Sequence, residues 1–137
     1  MPNFNDRSRA KLNTCDEMLQ KVFNEVIRHF DCTILCGYRD EAAQNDAFFG
    51  GRSKVQFPNS MHNKVPALAV DAAPWPINWT DYNRWYYFAG FVMGIASKMG
   101  YPIRWGGDWD RDTQTSDNIF NDLCHFELII IDKKGDI

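Results

Sequence analysis

The short apolar run Ala67-Leu68-Ala69-Val70 meets Asp71 and is closed by Ala72-Ala73-Pro74-Trp75-Pro76. The prolines remove backbone donors and restrict φ, so the run does not continue as a helix. Four or five apolar residues bounded in this way read as a buried strand over residues 67–72. A carboxylate inside such a strand is costly unless a partner compensates its charge. Upstream, His62 lies in the turn-prone sequence Ser60-Met61-His62-Asn63-Lys64-Val65-Pro66. An imidazole near a buried carboxylate suggests a metal ion as that partner. The remainder of the chain then has to supply further donors.

Its 137 residues suit one domain spanning residues 1–137. Ten Phe, five Trp and five Tyr provide bulky core material without disulfides. Eighteen acids against fifteen bases give a net charge of −3, and no Lys/Arg cluster occurs. That balance argues against nucleic acid as a partner. The polar N-terminus is unlike a signal peptide. The longest uncharged apolar run, over residues 85–96, is short of the ~20 residues a bilayer span needs. A monomer made in the cytoplasm, with no stable membrane insertion, is expected.

Apolar residues at three- and four-residue steps predict a helix over residues 8–30. A β-prone run follows at residues 32–36. A second helix is expected over residues 40–49, with Asp40 as N-cap and Gly50-Gly51 as the stop. Residues 52–64 read as a polar loop. A helix over residues 81–99, apolar on most faces, is expected to be the central buried one. Gly100 and Pro102 end it. Residues 103–105 and 124–131 read as strands, with a loop over residues 106–118 between them and a polar tail at the end. The order α-β-α-β-α-β-β predicts an α+β domain: a small antiparallel sheet with helices packed on one face.

The four cysteines, Cys15, Cys32, Cys36 and Cys124, match no zinc-finger spacing. Cys32 and Cys36 on one strand would stand roughly 13 Å apart, so all four read as small buried hydrophobes. Of three histidines, His29 near a helix end reads as structural. His62 and His125 each lie beside carboxylates, which raises the weight of a metal site against ordinary hydrogen bonding. A hydrolytic zinc has three protein ligands and an open position, and a separate carboxylate must carry the proton. His62, Asp71 and His125 would make the three, and a turn could present Asp122, three residues before His125, beside them, with Glu127 and Asp108 as spare carboxylates; spacing alone leaves this a possible metal site. Asp108-Trp109-Asp110-Arg111-Asp112 resembles a calcium loop but lacks its glycine and final glutamate, so a solvated loop is the favoured reading, with a weak cation site that orders the loop as the alternative. Trp75, Trp79, Trp105 and Trp109 read mainly as core or rim, and Ser60 as a turn or supporting hydrogen bond.

Taken together, Ser60-x-His62, Ala69-x-Asp71 and Asp122-x-x-His125-x-Glu127 resemble the VanY-type D,D-carboxypeptidase-like zinc metallopeptidases. The resemblance is closest to phage L-alanyl-D-glutamate peptidase endolysins. Gly37-Tyr38-Arg39 with Gln44, Gly50-Gly51-Arg52-Ser53, and Trp105-Gly106-Gly107-Asp108-Trp109 extend it over residues 33–128. The resemblance implies Zn2+ held by His62, Asp71 and His125, Asp122 as catalytic acid/base, and Arg39 stabilising the oxyanion or holding the substrate. It implies cleavage of the L-Ala–D-Glu bond of the peptidoglycan stem peptide for host lysis. The protein would remain in the host cytoplasm until lysis, and a holin-like pore would release it to the wall. The alternatives are a D,D-carboxypeptidase or D,D-dipeptidase acting on D-Ala-D-Ala ends, and an inactive wall-binding module. Two features depart from the family pattern. His62 and Asp71 are two residues further apart, which leaves the strand face of Asp71 unchanged if the extra pair bulges out in the loop. The acid/base is Asp rather than Glu, one methylene shorter.

Overall fold

The run around Asp71 forms β2 (Ala69–Pro74), an inner strand of a four-stranded antiparallel sheet. The computed structural model describes residues 2–116 and 121–129. The other strands are β1 (Cys32–Cys36), β3 (Ile103–Trp105) and β4 (His125–Leu128), in the order β1-β2-β4-β3. Alternation divides the sheet into two chemically different faces. Cys32, Ile34, Val70, Ala72, Phe126 and Leu128 belong to the hydrophobic core. Asp71, His125 and Glu127 alternate with those residues and face the other way.

The helices are α1 (Asp6–Leu12), α2 (Glu17–Val26), α3 (Glu41–Phe49) and α4 (Tyr82–Met99). Together α2 and α4 cover the core face, where Phe23 and Phe88 pack edge-on against Phe126. Ser8 of α1 fastens that helix to β1, its Oγ accepting from Ile34 N at 3.1 Å and lying 3.0 Å from Thr33 Oγ1. In contrast, α3 reaches toward the other face, through Gln44.

The helix expected over residues 8–30 is in fact two. Asp16 accepts from Met18 N and starts α2 as an N-cap, while Ala67 N donates to Thr14 O and Asp16 N donates to Ala67 O. The break is thus a bridge to the segment entering β2. Leu12, Cys15 and Leu19 are all buried and keep helical spacing across it, which hides the break from the pattern. Capping signals are otherwise followed. Asp40 caps α3, Asp81 caps α4, and Gly100 ends α4 in the left-handed region at φ 77°. The helix α4 is less buried than its composition predicts. Trp85, Phe88, Ala89, Val92 and Ala96 face the core, whereas Tyr82 and Tyr87 are exposed. The last strand was expected over residues 124–131 and runs His125–Leu128. Residues 130–131, the polar tail and residues 117–118 of the expected loop lie outside the described residues. Among the described residues, no helix is long and apolar enough to cross a membrane.

Candidate active site

Asp71 pairs directly with His125 across β2 and β4, and Arg104 pairs with Glu127 across β3 and β4. Cross-strand partners share a face, so strand register alone collects Asp71, His125, Glu127 and Arg104. His62 comes from a single 3-10 turn, Met61–Asn63. Ser60 Oγ accepts from His62 N at 3.1 Å, and Asn63 Oδ1 accepts from Ser60 N at 3.0 Å. Leu68 N then donates to Met61 O at 3.0 Å, closing the loop between the turn and β2. Lys64, Val65 and Pro66 lie exposed outside that closure. The chain between His62 and Asp71 thus bulges outward at these residues, and Asp71 faces the imidazole.

Both histidines aim one ring nitrogen at the same oxygen. His62 Nε2 lies 3.2 Å from Asp71 Oδ1, and His125 Nδ1 lies 3.1 Å from it. The opposite nitrogens are held as well. His62 Nδ1 donates to Gly37 O at 2.8 Å, and His125 Nε2 lies 2.7 Å from Glu127 Oε1. A carbonyl only accepts, so Nδ1 of His62 carries a proton and Nε2 is the free position. Two lone pairs facing one carboxylate oxygen require positive charge between them, either a proton on each ring or one divalent ion. Two imidazoles and a carboxylate, each oriented from behind, form a donor set suited to catalytic zinc. Gly37 allows this arrangement because a Cβ there would collide with Lys11 O and Thr14 Oγ1.

Charge follows the same geometry. Burial would lower the pKa of His62, but hydrogen bonds to Asp71 and Cys36 carry it up to about 10. Burial likewise acts against His125, and hydrogen bonds to Asp71 and Glu127 raise it to about 9. Burial would raise Asp71, yet hydrogen bonds from His125 and His62 hold it well below the usual carboxylate range. Asp122 behaves oppositely. Burial, then the negative charge of Asp71, raises its pKa. It is therefore the carboxyl of this group that most readily holds a proton. Its backbone is fixed by Asp122 N donating to Gly106 O at 2.8 Å, and by its own carbonyl accepting from His125 N at 3.1 Å. Gly106 has no room for a Cβ, which would strike the Asp122 carbonyl.

Arg39 completes the constellation. Its Nη2 reaches Asp71 Oδ2 at 3.5 Å and its Nη1 donates to Gln44 Oε1 at 3.1 Å. Its backbone is tied to the 3-10 turn on both sides, N donating to His62 O and O accepting from Asn63 Nδ2. Arg39, His62 and His125 thus all reach Asp71, and Asp122 is near enough to feel its charge.

A family model for the phage L-alanyl-D-glutamate peptidases matches residues 2–129. The chain belongs to that family. Its fold is shared with the crystal structure of the Serratia marcescens L-Ala D-Glu endopeptidase ChiX, at a TM-score of 0.70 and 22% identity. The match covers 93% of this chain and 90% of that one. No curated protein sequence matches the chain.

Two residues of this family member carry a part in the site that the sequence does not assign. Cys36 reads in the sequence as a buried hydrophobe on the strand of Cys32. A register shift between Ile34 and Cys36 instead places it opposite Asp71. Its sulfur, His62 and Asp71 offer ligand atoms within 4.8 Å of one another. The other is Gln44, fully buried, which joins Arg39 to Ser53 and Val55. Period-2 reading has no signal for a bulge, and a polar residue on a short helix gives no sign of its burial.

The remaining candidates divide. Glu127 supports His125 and is also bound by Arg104 Nε and Nη2 at 3.1 and 3.0 Å. Asp108 instead caps its own loop, accepting from Asp112 N and Thr113 N. Trp105 is core, while Trp109 stands 5.5 Å from the His125 ring. Trp75 and Trp79 are exposed. His29 is exposed and pairs with Glu25. Among the described residues all cysteines are free. A cleft of 620 Å³ opens onto His62 and His125.

Proposed function

We propose that this member of the phage L-alanyl-D-glutamate peptidase family is a zinc-dependent endopeptidase of the peptidoglycan stem peptide, cutting between L-Ala and D-Glu. The observation that carries the metal assignment is the convergence of His62 Nε2 and His125 Nδ1 on Asp71 Oδ1, each ring oriented from behind by Gly37 O or Glu127. Family membership supports the choice of bond.

His62, Asp71 and His125 would hold the ion. The chemistry zinc supplies at such a site is Lewis acidity, which polarises a carbonyl and lowers the pKa of a water towards ~7. Asp122 takes the proton from the attacking water at its carboxylate and returns it to the departing amine of D-Glu. Burial, the largest influence on it, favours the protonated form of Asp122, which suits delivery of the proton to the amine. Arg39, already aimed at the site through Asp71 and Gln44, donates from its guanidinium to the oxygen of the scissile carbonyl as charge develops there. In the lytic role, the protein acts as a monomer that waits in the host cytoplasm and reaches the wall through a holin-like pore.

The test is digestion of purified peptidoglycan by zinc-loaded protein, with mass spectrometry of the products. The expected result is a new carboxyl terminus on L-Ala and a new amine on D-Glu. Release of D-Ala with the L-Ala–D-Glu bond intact would instead establish the D,D-peptidase alternative.

A further inference from the structure

The cleft beside the site is lined by four cationic side chains, Arg39, Arg52, Lys54 and Arg104, against two acidic ones, Asp110 and Glu127, in a chain of net charge −3. Arg39 is bonded to Asp71 and Gln44, and Arg104 clasps Glu127. Arg52 and Lys54 come from the segment that follows α3. That segment is anchored. Arg52 N and Ser53 N both donate to Ala47 O, at 2.8 and 3.0 Å. Gln44 Nε2 donates to Ser53 Oγ at 2.9 Å and to Val55 O at 2.8 Å. The other end of the same buried amide holds Arg39. One side chain thus sets the backbone carrying Arg52 and Lys54 in a fixed relation to the arginine beside Asp71.

The substrate offers a matching group. Glutamate has two carboxyls, and continuing a peptide through it consumes only one. The other remains free a few bonds from the nitrogen that leaves when the L-Ala–D-Glu bond is cut. A guanidinium is well shaped for such a carboxylate, since its parallel N–H groups bind both oxygens. We propose that Arg52, assisted by Lys54, binds the free carboxylate of the substrate's glutamyl residue, so that the protein selects stem peptides in which that carboxyl is not amidated. The proposal rests on the L-Ala–D-Glu reading above and identifies what recognises the glutamyl side of the bond.

The experiment compares two synthetic stem peptides that differ only in this group, carboxylate against carboxamide, using zinc-loaded wild type, Arg52→Ala, Arg52→Lys and Lys54→Ala. Hydrogen bonds to charged groups set the expected scale. Wild type should favour the acid by about 10- to 100-fold in kcat/KM, mainly through KM. Arg52→Ala should lose about that factor on the acid and change little on the amide, collapsing the preference. Arg52→Lys should recover part of it, and added salt should shrink it. Arg52 is exposed, so unfolding temperatures should match wild type. A wild type that does not distinguish the peptides, or an Arg52→Ala variant weakened equally on both, overturns the proposal. Failure of wild type to cut either peptide at this bond, seen directly in the product masses, overturns the function reading itself.

Discussion

Replacing Gln44 by leucine keeps the volume of the side chain and removes both ends of its amide. Gln44 is fully buried and takes part in four hydrogen bonds: from Arg39 Nη1 and Asn63 Nδ2 to its oxygen, and from its nitrogen to Ser53 Oγ and Val55 O. Three of those partners keep another bond. Asn63 Nδ2 still reaches Arg39 O, and Ser53 Oγ still reaches Val55 O and Val55 N. Arg39 Nη1 loses its bond to Gln44 altogether. At about 1 kcal/mol for each neutral bond and more for the charged one, offset by the gain from burying leucine, the loss is about 3 kcal/mol. For a domain of this size that lowers Tm by roughly 10 °C. Thermal unfolding by circular dichroism measures it. Activity should fall further than stability does, by about tenfold or more at 25 °C where the variant remains folded, because Arg39 is no longer aimed. Gln44→Glu separates the two ends. Its oxygens still accept from Arg39 and Asn63 but face the Val55 carbonyl, so stability should fall while Arg39 remains oriented. An unchanged Tm in Gln44→Leu would refute the reasoning, since a buried amide that matters to nothing cannot be holding the site.

Other consequences follow from the same geometry. Asp122→Asn should reduce cleavage by about 10²- to 10⁴-fold while leaving bound zinc unchanged in elemental analysis; loss of the metal would make Asp122 a ligand. Glu127→Gln weakens the orientation of His125 and should lower zinc affinity about 10- to 100-fold in a competition titration with a chelator; unchanged affinity would dismiss that support. In metal-free protein, burial pulls His62 and His125 down, but hydrogen bonds to Asp71 prevail and raise them from 6.5 to about 10 and about 9. Their contribution to stability is therefore fully present below about pH 6.5 and is lost as pH rises through 9 to 10. Tm of the metal-free protein should decline across that window, and a flat profile would contradict the shared-carboxylate arrangement.

Much of this was legible in the chain. Asp71 in a strand closed by prolines required a partner, and His125 at the start of another strand supplied one. Alternation puts His125 and Glu127 on one face of their strand; that Asp71 shares this face follows from the register of β2 against β4, which the sequence does not state. N-caps at Asp40 and Asp81 and the stop at Gly100 are local chemistry, so α3 and α4 began and ended close to where expected. What escaped depends on tertiary contact. The break between α1 and α2 is set by Ala67, a residue remote in sequence, and buried Leu12, Cys15 and Leu19 preserve the helical period through it. Cys36 reaches the site only through a bulge in β1. The part played by Gln44 depends on where the segment after α3 folds back, which α3 itself does not encode.

The central claim is that His62, Asp71 and His125 hold one zinc ion. Zinc content per chain, measured by inductively coupled plasma mass spectrometry after dialysis against trace metal, tests it directly. Wild type should carry one zinc, and His62→Ala, Asp71→Ala and His125→Ala should each carry essentially none while remaining folded by circular dichroism. A folded wild type without zinc, or a triad variant that retains it in full, would contradict the account.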